Sequence, residues 1–250
     1  MPGEYPGPLR GLTGKGVRVA IIDSGVHVGH DHILADRIAE GAAVASDGRI
    51  EQGNDASIDR LGHGTAVTAA IQEKAPDALC LPIRVFHSSL KTTGLALVRA
   101  IEWALDQRVD IINLSLGSAN AAHRDAFMQA VQRARSVGAA IVAAHDVDGA
   151  PCLPGAIKGV IGVGLDWNCP RATYGLSTDG ESTDGGHFMA SGYPRPIPGV
   201  PPRRNLYGIS FATAQMSGFA ARALEAMDDA ATGPARVDAL RAKLIAALSR

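Results

Sequence analysis

Apolar positions along this chain change their spacing several times, and each change marks an element. Val17, Val19, Ala20, Ile21 and Ile22 form a short, nearly continuous apolar run ending at Asp23, the pattern of a strand buried on both faces. Residues 79–85 repeat it, with Pro82 arguing for an edge strand or a bulge, because proline donates nothing to a ladder. Residues 110–116, 139–144 and 160–164 read as further strands. Leu95, Val98, Ile101 and Leu105 recur at helical spacing and predict an amphipathic helix over about 94–107. Residues 126–137 predict another helix, closed by Gly138 as a C-cap. An Ala-rich helix follows Ser210 to about residue 227, and Val237, Leu240, Leu244 and Leu248 mark a terminal one. Strands alternating with helices predict an α/β fold in three layers, a mostly parallel central sheet with helices on both faces. Residues 168–205, rich in Gly, Pro, Ser and Asp, read as loops with short strands. One domain over 1–250 is expected, with 1–14 a flexible N-terminal segment.

Composition narrows what such a fold does. Hydrophobic residues make up 46% of the 250, enough for a sizeable core. The 24 basic and 25 acidic side chains leave a formal charge of −1, so no excess of either sign points to nucleic acid or an anionic membrane. Aromatic residues are only 4%, which leaves little for base stacking. The first residues, broken by Pro2, Gly3 and Pro6, do not read as a signal peptide. The chain has no run of 18 apolar residues, so no membrane span is expected. Three cysteines, Cys80, Cys152 and Cys169, cannot complete a disulfide framework and fit a reducing compartment, which makes the expected location cytoplasmic.

Three segments carry candidate chemistry. Asp23-Ser24-Gly25 puts a carboxylate at the end of a buried parallel strand, the edge at which α/β enzymes bind ligands. Alone, such a segment is more often a turn. Gly62-His63-Gly64-Thr65 leaves an imidazole uncrowded between two glycines, although a lone histidine is more often structural. Ser210 opens the Ala-rich helix, where a serine ordinarily serves as a cap. The N–H groups and dipole of a helix start also suit a nucleophile whose substrate develops an oxyanion.

Asp, His and Ser in that order, within Asp23-Ser-Gly, Gly62-His-Gly-Thr and Gly208-x-Ser-x-Ala, resemble the three catalytic blocks of the subtilisin family of serine peptidases. Residues 94–117, with Ile101-Glu-Trp-Ala, and residues 153–164, with Leu153-Pro-Gly, are similar to two further blocks of that family. The resemblance implies a subtilisin-like fold and a triad of Asp23, His63 and Ser210. Ser210 would attack the peptide carbonyl, His63 would take its proton and pass it to the leaving amine, and Asp23 would hold the imidazole. Ser115, Leu116 and Gly117 would pair with an extended substrate as an added strand. Cys152 falls where many relatives carry Gly, at the floor of the pocket for the residue before the scissile bond. A thiol there implies a shallow pocket favouring small side chains over aromatic ones and over Arg or Lys, with Asp148 the one nearby acid that would act against the latter; the alternative is a Cys152 turned into the core.

The chain departs from the family pattern in three places. Where relatives carry an Asn that donates to the oxyanion, Ala143-Ala-His-Asp146 places Asp146, expected to share the oxyanion hole with Ser210. An ionised carboxylate only accepts hydrogen bonds, so Asp146 would donate only when protonated. His145 takes that place if the register shifts by one. Between Ala70 and Ala75 the chain has only Ile-Gln-Glu-Lys, where relatives wrap a structural calcium; four residues in a helix-like run cannot offer its six to eight oxygens. No metal and no cofactor are therefore expected. The chain also enters its first core strand by Val17, with no room for a signal or pro-region, which implies an intracellular enzyme that folds unaided.

The expected function is an intracellular serine endopeptidase that processes a partner protein or removes its leader peptide, similar to small leader-trimming members of the family. A general degradative enzyme and a peptide-binding pseudoprotease are the alternatives. The expected partner is a peptide or protein substrate, in the narrow case one specific precursor, and neither nucleic acid nor a membrane. The sequence carries no sign of oligomeric state.

Overall fold

The computed structural model describes residues 5–53, 55–147, 149–178, 185–228 and 230–248. Among them, nine strands form one sheet. Its middle is parallel: β1 (Arg18–Asp23) lies between β4 (Leu79–Arg84) and β5 (Ile111–Leu114), followed by β6 (Ala140–Ala144), β9 (Ile161–Leu165) and β11 (His187–Ala190). β10 (Gly175–Ser177) closes one edge antiparallel to β11. At the other edge β2 (Ala42–Val44) joins β4, with β3 (Ile50–Gln52) antiparallel outside it. β7 (Asp146–Val147) and β8 (Ala150–Pro151) form a separate small hairpin.

The period-two alternation of β1 builds the layers. Val19 and Ile21 enter a core shared with α1 (His63–Lys74), α4 (Ile209–Glu225) and α5 (Gly233–Leu248). Ala20 and Ile22 enter the opposite core, against α2 (Gly94–Asp106) and α3 (Arg124–Ser136). Each fully buried Ile or Leu stabilises this arrangement by about 1.5–3 kcal/mol. The expected α/β layering is what the structure has. α4 is Ala-rich because it is buried along nearly its whole length between the sheet and two other helices. A Cβ at its Gly218 would come within 2.5 Å of the Lys74 Cβ, so only the bare backbone fits there.

Two expectations change. β4 is an interior strand, not an edge, and Pro82 is tolerated because the β2 ladder begins only at Ile83, past the spot where Gly41 packs on the proline. The N-terminal segment expected to be flexible is packed from Tyr5 onward. Leu9 is fully buried, the Tyr5 ring meets Phe219 and Arg222, and Glu225 accepts the N–H groups of Thr13 and Gly14. The run Ile71-Gln-Glu-Lys is the last turn of α1, with Glu73 paired to both Lys74 and Arg171. Among the described residues no helix is long and apolar enough to cross a membrane.

Candidate active site

Asp23 ends β1 and is fully buried; His63 is the first residue of α1. The two meet at 2.7 Å, Asp23 Oδ1 to His63 Nδ1, and Oδ1 also accepts the Ser24 N–H at 2.7 Å. Two glycines permit this approach of strand and helix: a Cβ at Gly64 would lie 2.2 Å from the Gly25 carbonyl oxygen, and one at Gly25 would lie 2.2 Å from that of Ser57. The His63 side chain is 13% exposed, enough to meet a substrate. Burial opposes charge on the ring, but the hydrogen bond and charge of Asp23, with Asp59 behind it, lift its pKa above the ordinary imidazole value.

Asp59 fastens the start of α1 and was not foreseen. Its Oδ1 accepts the Ser24 hydroxyl at 2.8 Å and the N–H groups of Leu61 and Gly62, both at 2.9 Å. Its Oδ2 accepts the Thr65 N–H at 2.9 Å and the Thr65 hydroxyl at 2.6 Å. Ser24 Oγ in turn accepts the Gly64 N–H at 2.8 Å, so one carboxylate ties the Asp23 turn to the His63 turn. Burial alone would raise the Asp59 pKa, but the hydrogen bonds from Thr65, Leu61 and Ser24 hold it below the usual carboxylate range. An acid a few residues ahead of a helix start was the available signal.

Ser210 stands in the first turn of α4, where main-chain N–H groups have no intrahelical partner. Phe211, next to it, packs its ring 5.8 Å from that of His63. The Ser210 hydroxyl donates to the Ser115 carbonyl at 3.0 Å, while the Ser115 hydroxyl donates to the Ser210 carbonyl at 3.2 Å. Buried Asn113 supports this exchange: its amide donates to Ser115 Oγ at 2.8 Å and its carbonyl oxygen accepts from Ser217 at 2.9 Å. A buried polar network of this kind fixes one geometry. The signal in the sequence was an Asn inside the apolar run of β5.

The remaining expected residues follow the ends of β5 and β6. Leu116 and Gly117 are partly exposed beyond β5, and the backbone of Ser118 exchanges two 2.9 Å hydrogen bonds with Leu153. Cys152 is 4% exposed and lies on Gly117, whose hypothetical Cβ would sit 2.5 Å from the Cys152 Cβ. Burial, with the charge of Asp146 added, pushes its thiol pKa up, which disfavours the thiolate. Asp146 opens the β7–β8 hairpin, accepting the Gly149 N–H on Oδ1 at 3.1 Å. Its Oδ2 lies 3.5 Å from His145 Nδ1. Asp148 lies outside the described residues.

Comparison with known proteins adds the family and the fold. The family model of the Subtilase family matches residues 14–248. The chain is 31% identical to Subtilisin DY of Bacillus licheniformis over 229 residues, 85% of this chain and 78% of that protein. It is 31% identical to Thermitase of Thermoactinomyces vulgaris over 216 residues, 83% of this chain and 74% of the other. Among solved structures it is similar to the Prenylagaramide maturation protease PagA, with a TM-score of 0.65 and 25% identity over 95% of this chain and 87% of that one. A lanthipeptide protease superposes with a TM-score of 0.67 at 21% identity, covering 90% of this chain and 78% of that one.

Proposed function

The chain belongs to the subtilase family and is a serine endopeptidase; we propose that Asp23, His63 and Ser210 are its triad and that it cuts one site in a partner protein, as in removing a leader peptide. The observation that carries the triad is the 2.7 Å contact between Asp23 and His63, beside the helix start that bears Ser210. His63 takes the Ser210 proton as the oxygen attacks the carbonyl, then gives it to the leaving amine, while Asp23 stabilises the imidazolium. First-turn N–H groups of α4 and the Asp146 side chain serve the oxyanion. In the free enzyme the Ser210 hydroxyl rests on the Ser115 carbonyl. A peptide pairing with residues 115–117 takes over that carbonyl with its own N–H and frees the hydroxyl to turn to His63.

Selective processing is supported by the likeness to two proteases whose titles name a maturation or a lanthipeptide role. An acid at the oxyanion position supports slow turnover, which suits one chosen bond. Three unpaired cysteines support a reducing, cytoplasmic setting. The reading also resembles the small cytoplasmic subtilase that trims the leader of a quinohemoprotein amine dehydrogenase subunit.

A fluorophosphonate probe tests the triad: it should label Ser210 in the native chain and not in His63→Ala. Equal labelling of the two would refute the assignment. A panel of unrelated unfolded proteins tests the task, since a general degrader cuts them all and a processing enzyme leaves most intact.

A further inference from the structure

Next to the cleft, strand β9 leaves one face of the sheet bare. Ile161 and Val163 point into the core under α4 and α5, so Gly162 and Gly164 alternate to the other face. The strands on either side of β9 are β6 and β11. His145 follows the end of β6 and His187 begins β11, and their rings stack over the glycines with centroids 4.2 Å apart and planes 7° from parallel. A Cβ at Gly162 would approach the Gly155 carbonyl oxygen to 2.8 Å and the His145 ring to 3.1 Å, and one at Gly164 would approach Met189 Sδ to 2.6 Å and His187 Nε2 to 2.9 Å. The glycines therefore make room for the two imidazoles.

Asp146 adds a carboxylate to this pair. One ligand atom from each of His145, Asp146 and His187 lies within 4.8 Å of the others. Asp146 Oδ1 is held by the Gly149 N–H, which leaves Oδ2 facing His145. His145 Nδ1 is buried and makes no hydrogen bond, an arrangement that costs free energy unless something binds there. The His145 and Asp146 side chains are 21% and 29% exposed, so an ion can reach them without unfolding.

We propose that His145, Asp146 and His187 bind a divalent transition-metal ion of the zinc class, and that the bound ion slows cleavage by holding Asp146 away from the reacting carbonyl. Two imidazoles and one carboxylate suit zinc, nickel or copper and not calcium or magnesium, which prefer oxygen alone. Zinc–nitrogen bonds of about 2.0–2.1 Å put tetrahedral donors roughly 3.4 Å apart. Two stacked, near-parallel rings cannot both aim an in-plane lone pair at one ion, so metal binding must swing at least one imidazole out of the stack. The fourth position is left to water. Sequence spacing hides this trio, because β8, β9 and β10 lie between Asp146 and His187 in the chain. The slowing rests on the reading that Asp146 serves the oxyanion; the metal site does not.

The test uses full-length protein stripped with chelator and titrated with zinc chloride, read first by bound-metal stoichiometry and melting temperature. Native protein and Ser210→Ala should each hold one zinc and melt several degrees higher by mass action. His187→Gln, which keeps the ring's bulk, and His145→Gln should bind at least tenfold more weakly, and calcium should do nothing. No zinc retained by the native protein, or retention in either Gln variant equal to the native protein's, overturns the site. Cleavage is read second: native turnover should fall with the same zinc midpoint, and His187→Gln should keep cutting at that concentration. Zinc that slows both proteins alike acts elsewhere and overturns the slowing. Zinc that binds the native protein without slowing it overturns the slowing and the oxyanion role of Asp146, and leaves the site standing.

Discussion

Two regions, one a wall around His63 and the other a wall around Asp146 and Cys152, are held in different ways. The wall carrying His63 is locked: Asp23 is fully buried, and Asp59 accepts five hydrogen bonds that tie strand end to helix start. The wall carrying Asp146 and Cys152 rests on a hairpin of two-residue strands, with partly exposed side chains around it. A proton-transfer pair needs one geometry held to a fraction of an ångström, because displacement by 1 Å can cost about 10² in rate. The other wall meets variable substrate side chains. Rigidity sits where the chemistry is invariant, and adjustment where recognition happens.

The most severe way to break the comparison is to remove the locked wall's own chemistry. Ser210→Ala and His63→Ala should each lower turnover by about 10⁶-fold, the size known for subtilisin itself, and the double variant should lose little more. Additive losses in steady-state kinetics would contradict a unit of three. Asp59→Ala leaves the N–H groups of Leu61, Gly62 and Thr65 unpaired around a half-buried site. It should lower stability by about 3 kcal/mol, and misplacing His63 should cost about 10² in turnover. Chemical denaturation and kinetics check the two losses, and an unchanged kcat would make Asp59 merely structural.

On the softer wall, Asp146→Asn should raise turnover, by up to about 10²-fold, because an amide donates at any pH and a carboxyl only while protonated. A fall instead would mean that the carboxyl itself is needed. Cys152→Gly removes a buried thiol from beside Gly117 and should improve cleavage after large residues by about tenfold, the equivalent of relieving 1–3 kcal/mol of overpacking. A peptide library read with both proteins decides it, and an unchanged preference would place the thiol in the core.

The smallest expected effect is in the pH profile. His63 must be neutral to accept the Ser210 proton, and its pKa is raised, so the acid limb of kcat/KM should have its midpoint above about 6.5. For stability the sign is the same as for any raised imidazole. The Asp23–His63 contribution is full below the unfolded value and fades as pH rises through the folded one. Asp59→Asn should move the limb slightly toward acid, since Asp59 supplies only the last part of the lift.

Much of the fold was written locally. Apolar runs and helical spacing are enforced by water, residue by residue, so β1, α2, α3 and α5 were legible from their own segments. The proposed triad of Asp23, His63 and Ser210 came from the order of three blocks and their family resemblance, since each block alone reads as a turn, a structural histidine or a helix cap. β2 and β3 were not legible, since three-residue strands lie below what periodicity can reveal. Pro82 looked like an edge because whether a strand has two neighbours is decided by the rest of the sheet. The packing of Tyr5 and Leu9 was equally invisible, for it depends on a groove made by α1, α4 and α5. Asp59, the Asn113 network and the stacked pair of His145 and His187 join residues far apart in the chain. Hydrogen bonds and ring contacts act through space over a few ångströms, and only the folded sheet sets which side chains come that close.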